Sequence, residues 1–238
     1  TLEGTATATT ATAGVRVTGD GLTTNGGDIT ITGNSAGGVG VQLGDGSVFA
    51  IGSGGGAITI EGTGIDAGVL MQGNQVASGG GAVSITGTGG ALGVSLEGSD
   101  IDSAGGAIDI EGTASAAGGI GMSLYDAQLT GGAGDVTVRG TAAAGIGIEF
   151  GYGSAISTTS GAIGLYGTGA DFGLDIADGA LDTESGDITL EGTATATTAT
   201  AGVRVTGDGL TTNGGDITVT CTSAGGVGVQ LGDGGAFA

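Results

Sequence analysis

The side chains able to do chemistry in this chain are carboxylates, threonines and one thiol, and most of them sit in a recurring phrase. Asp187 and Asp216 each begin the segment D-I-T, 29 residues apart. That spacing makes them candidate calcium ligands, acting together with backbone oxygens. The glycine-rich calcium nonapeptide is only approached, by GGAGDVTV at 131–138. A simpler use for an Asp at the start of a strand is to accept a corner N–H. Thr30, Thr59, Thr137, Thr189 and Thr218 share one position of the phrase with Ser84. A flat threonine array is a candidate ice-binding surface, but Asp109 and Gly164 interrupt it, and outward Thr is also simply a good strand former. A glycosidase would need two acids about 5–9.5 Å apart in a groove with aromatic platforms. Three Tyr, four Phe and no Trp are poor material for that. Cys221 is the single cysteine and there is no histidine. An internal disulfide, a cysteine metal site and a Cys–His nucleophile are therefore excluded. Cys221 reads as a drifted substitution, with an inter-chain cross-link or a labelling handle as alternatives. No catalytic or cofactor-binding residue is assigned.

Composition narrows what could position such groups. Of 238 residues, 61 are Gly and none is Pro or Lys; aromatics make up 3%. Twenty-four acids face Arg16, Arg139 and Arg204, for a formal net charge of −21. Charge and glycine on that scale suit an unfolded chain, but 38% of residues are apolar and Val, Ile and Leu alternate strictly. Collagen would need Gly at every third position and abundant Pro. The charge repels nucleic acid and anionic lipid. No apolar run approaches the ~18 residues of a membrane span, so neither nucleic-acid binding nor membrane insertion is expected.

Internal repeats set the architecture. Residues 1–50 return as 189–238 with five changes: Ile31/Val219, Gly33/Cys221, Asn34/Thr222, Ser47/Gly235 and Val48/Ala236. The chain is thus one continuous segment, 1–238, holding a 188-residue super-repeat (1–188) and the start of the next (189–238). Beginning and ending within a repeat predicts an array that continues in both directions. A shorter phrase, GDITITG at Gly27, returns at Gly56, Gly81, Gly106, Gly134, Gly161, Gly186 and Gly215, 25 to 29 residues apart.

Within the phrase, period-two alternation predicts a strand with one buried face. Its inward residues are Ile29 and Ile31, Ile58 and Ile60, Val83 and Ile85, Ile108 and Ile110, Val136 and Val138, Ile163 and Leu165, Ile188 and Leu190, and Ile217 and Val219. A second strand is predicted from GVGV at Gly38, GVLM at Gly68, GVSL at Gly93, GIGM at Gly119, GIGI at Gly145, GLDI at Gly173 and GVRV at Gly202. A third segment carries Leu22, Val76, Ile101, Leu129, Ile156, Leu181 and Leu210. The glycines that close the strands are expected to serve positive-φ corners. One such coil cannot bury its own apolar face, whereas stacked coils share a core. The reading is an all-β, right-handed parallel β-helix, a β-solenoid of about eight coils with three short strands each. At ~4.8 Å per coil, seven coils advance roughly 34 Å.

The phrase GGDITITG, followed by AGGVGVQLGDGSVFAIGSG, with its variants GGAITIEG and SGDITLEG, resembles the shaft repeats of filamentous-haemagglutinin-like adhesins. The resemblance covers essentially the whole chain. It implies a structural or adhesive shaft, or fibre segment, of a giant bacterial protein located extracellularly or at the cell surface. Expected partners are the chain itself, through adjacent repeats or a homo-fibre, and glycans or proteins of host or neighbouring cells. Shafts of that family carry no shared catalytic residues to transfer, so no enzyme is expected. The alternatives are a carbohydrate-binding or carbohydrate-degrading β-helix and an ice-binding solenoid.

Overall fold

The computed structural model describes residues 1–46, 48–207 and 209–232. Among these residues there are 24 β-strands and no helix. Strands pair in parallel with their equivalents one coil away. The chain is therefore an all-β parallel solenoid of about eight turns. First and second strands belong to one 16-stranded sheet, while third strands, such as Asn74–Ala77 and Asp100–Asp102, form a separate 8-stranded sheet.

The inward column follows from alternation. Ile31, Ile60, Ile85, Ile110, Val138, Leu165 and Leu190 lie in register on successive coils and all are fully buried. Their partners two residues earlier, from Ile58 through Val83, Ile108, Val136 and Ile163 to Ile188, are buried as well, and Ile29 nearly so. The last pair differs: Ile217 is 44% exposed and Val219 only partly buried. Ile217 pairs with Ile188 below it, and no described coil covers it from above.

The glycines that end the first-strand phrase are not corners, which corrects the expectation above. The strands run past them, as in Ile29–Ser35 and Val83–Gly89. Gly33, Gly62, Gly87, Gly112, Gly140, Gly167 and Gly192 do not have positive φ. Each instead faces a second-strand glycine across the interior. A Cβ on Gly33 would lie 2.2 Å from the carbonyl oxygen of Gly40, and one on Gly112 would lie 2.0 Å from that of Gly121. The second-strand glycines in turn abut the next coil: a Cβ on Gly93 would lie 2.2 Å from the Thr113 nitrogen. Two glycine columns thus interlock along the rod and bring backbones within side-chain distance of each other.

This contact also fixes the second-strand register. Val41 pairs with Val69, Met122 with Val94 and Ile148 with Leu174. The repeat unit therefore begins at Gly40, Gly121 and Gly147, two residues later than the sequence phrase placed it in those coils. In two central coils the first corner disappears: single strands run Ile108–Tyr125 and Val136–Gly151, with register shifts between Ala114 and Ile120. Positive φ is found at the next corner, at Gly44, Gly73, Gly98, Asp126, Gly153, Asp178 and Gly207. Asp tolerates the left-handed region better than most residues.

A buried hydroxyl column closes the third corner. Ser53 Oγ donates to Gly56 O in its own coil (2.5 Å) and to Ser78 O in the next (3.0 Å). Ser78 repeats this with Gly81 and Ser103, and Ser103 with Gly106 and Gly131. The one proton of each hydroxyl thus lies between a carbonyl of its own corner and one of the next coil, where Ser78 O, Ser103 O and Gly131 O also accept the backbone N–H of Gly55, Gly80 and Gly105.

Candidate functional site

The outward columns carry the polar groups, and the structure groups them differently from their order in sequence. Arg139 lies in register beside Glu111 and Tyr166. Its guanidinium nevertheless pairs diagonally with Asp109 at 2.8 Å and lies 5.3 Å from the centre of the Tyr166 ring. Arg204 sits directly above Asp175 and grips it with both Nε (2.6 Å) and Nη2 (2.5 Å). Its guanidinium also lies 4.3 Å from the centre of the Phe172 ring. Asp175 is 5% exposed, so this fork supplies the partner a buried carboxylate requires. Glu149 stands one coil below Asp175. Burial, and secondarily the charge of Asp175, push its carboxyl above the ordinary glutamate range.

The calcium candidates are engaged with backbone. Asp187 Oδ1 accepts the N–H of Asp216 at 2.8 Å. Asp28 accepts from Ala57 and Asp135 from Ala162 with the same geometry. The interaction therefore needs no second acid: it caps an N–H at the start of the strand above. Among the described residues no group of three or more Asp, Glu, Cys or His could hold a metal ion.

The column of Thr30, Thr59, Ser84, Asp109, Thr137, Gly164, Thr189 and Thr218 is in register, interruptions included. A more regular threonine column lies four residues further along the same face and escaped the sequence reading. Thr63, Thr88, Thr113, Thr141, Thr168, Thr193 and Thr222 stack coil upon coil, with Asn34 and Thr5 continuing the line. Its signal was a threonine after nearly every phrase-closing glycine, hidden while that glycine was read as a corner. Cys221 stands in the glycine column with its side chain inward, where a Cβ on Gly228 would lie 3.1 Å from Sγ.

The second feature missed by sequence is aromatic. Tyr125 and Tyr152 are 52% and 66% exposed, and their rings stack with centroids 6.0 Å apart at 20°. Shallow grooves flank the pair. One is lined by Gln72, Glu97 and Asp126, the other by Glu149, Asp175 and Asp178.

No protein-family model, no curated protein and no solved structure matches this chain.

Proposed function

We propose that this chain is a shaft segment of a giant secreted or cell-surface bacterial protein, a rod whose task is to span distance. The observation that carries this reading is the unbroken succession of coils. The inward aliphatic column, the paired glycines and most of the hydroxyl column recur from coil to coil, and the super-repeat returns after 188 residues. A chain built this way extends by copy number. Its polar groups are largely occupied in holding coil to coil, as Asp175 with Arg204 and Asp187 with Asp216 illustrate. The acidic surface keeps such rods from adhering non-specifically. Immuno-electron microscopy of producing cells, with an antibody to residues 56–188, tests the proposal. Gold on thin fibres outside the cell is expected, with fibre length growing by about 34 Å for each added super-repeat. Label confined to the cell interior would refute it.

A second reading, ice binding, is favoured by the Thr63–Thr222 column, which contains no acid. It predicts thermal hysteresis that is abolished by Thr113→Glu with Thr141→Glu. An absence of hysteresis in the parent chain removes this reading.

A further inference from the structure

We infer that the stacked Tyr125–Tyr152 pair is a docking site for arginine side chains of a basic partner segment. The chain itself supplies the template twice. Arg204 lies over Phe172 while gripping Asp175, both from the coil below. Arg139 lies over Tyr166 of the coil above while pairing with Asp109 of the coil below. In both places an aromatic ring and a carboxylate from neighbouring coils hold one guanidinium. That combination suits a planar, weakly hydrated cation that stacks and forks at once.

The tyrosine pair offers the same elements with no arginine in place. Glu97 stands one coil below Tyr125 and in register with it. Asp126 follows Tyr125 in sequence, and its N–H donates to Tyr152 O at 2.9 Å. Asp178 occupies the corresponding corner of the coil above, where its carbonyl accepts from Gly153 N. Carboxylates therefore stand at both ends of the two-ring stack. Glu97 shares one oxygen with Gln72 at 2.9 Å, and neither Asp126 nor Asp178 forms an ion pair among the described residues. The protein's only other arginine, Arg16, lies in the first coil, on the strand Ala13–Val17. With a net charge of −21, the rod attracts cations over a distance. The two rings then select among those cations. This site is independent of the shaft reading, because a rod without it is still a rod.

The test uses fluorescence anisotropy with two labelled Gly/Ser peptides of equal charge, one carrying three arginines and the other three lysines. The arginine peptide is expected to bind about fivefold more tightly. Replacing both rings, Tyr125→Ala with Tyr152→Ala, removes exposed groups and no charge. It should erase that preference while changing lysine-peptide affinity less than about twofold. Glu97→Gln with Asp178→Asn keeps both rings and should weaken the arginine peptide more than the lysine peptide. Equal affinity for the two peptides, or a preference that survives loss of both rings, would overturn the proposal. So would binding of a neutral oligosaccharide, but not of the arginine peptide, that is lost in the ring variant.

Discussion

Gly112→Ala is the most exacting test of what holds the coils together. The added methyl would lie 2.0 Å from Gly121 O, 2.8 Å from Gly121 C and 3.0 Å from Val94 N. All three are backbone atoms, so no side chain can swing away. A carbon and a carbonyl oxygen normally approach to about 3.3 Å, so the two arms of the bent strand Ile108–Tyr125 must part by more than an ångström. Overpacking alone costs about 1–3 kcal/mol, and each ladder hydrogen bond lost adds about 1 kcal/mol. A local penalty of about 3–5 kcal/mol follows. A global melting point is a poor readout, because solenoids need not unfold in one step. Hydrogen exchange followed by mass spectrometry over residues 83–151 reads the damaged coils directly. A loss of protection of about 100-fold or more is expected there, at tenfold per 1.4 kcal/mol, with little change in distant coils. Gly52→Ala is the control. Its methyl would meet only Thr23 Cγ2 at 3.7 Å and Ala77 O at 3.9 Å, and φ is not positive there. That variant should be neutral or stabilised by about 0.4–1 kcal/mol through the unfolded chain. If Gly112→Ala exchanges like the parent, interlocking glycines are not what holds these coils.

Three further perturbations address other contacts. Ser103→Ala removes the hydroxyl shared between Gly106 O and Gly131 O and should cost about 1 kcal/mol, since Gly131 O keeps the N–H of Gly105 and Gly134; the readout is faster exchange at the third corners of those coils. For Glu149, the folded carboxyl binds its proton more tightly than the unfolded one, so its contribution to stability is full at low pH and falls as pH rises past the ordinary 4.5. Glu149→Gln should therefore slow hydrogen exchange in the coils around it, relative to the parent, at neutral pH but not at pH 4, and an equal change at both would refute the assignment. Cys221→Gly restores the glycine column beside Gly228 and should slow exchange across residues 201–231. An unchanged rate would show that the side chain does not hold those strands apart.

The inward columns were legible because a two-residue period names the buried face of a strand directly. The double glycine column was not. A glycine after an apolar run reads as a turn, and only pairing Gly33 with Gly40, or Gly112 with Gly121, reveals a close backbone approach instead. The same substitution of meaning hid the Thr63–Thr222 column and allowed the second-strand phrase to slip by two residues where glycines alternate. The tyrosine pair was hidden for a different reason. Tyr125 is in register with Gly151, not with Tyr152, so aligning equivalent positions never sets the two rings side by side. They meet because Tyr152 lies at a corner, where side chains splay out of register.

The internal duplication lets the same residue of the repeat be compared between and at the end of the described coils. Val41 and Val229, and Leu43 and Leu231, are the same residues of the repeat, 188 positions apart. Val41 and Leu43 lie between two coils and are fully buried; Val229 and Leu231, with a described neighbour on one side only, are 36% and 55% exposed. Leu190 and Leu2 make the same comparison at the other face, at 0% and 37%. The residue is constant within each pair and the described neighbouring coils differ, with Cys221 in place of Gly33 beside the second strand as a further difference for Val229 and Leu231. Full burial of an aliphatic side chain contributes about 1.5–3 kcal/mol, and roughly half of that is withheld from each residue until a neighbour arrives. Several such residues per coil make each interface favourable by a few kcal/mol, while an isolated coil gains almost nothing. Stability then accrues at interfaces, coil by coil. Outward residues such as Tyr125 and Tyr152 take no part in those interfaces' aliphatic core.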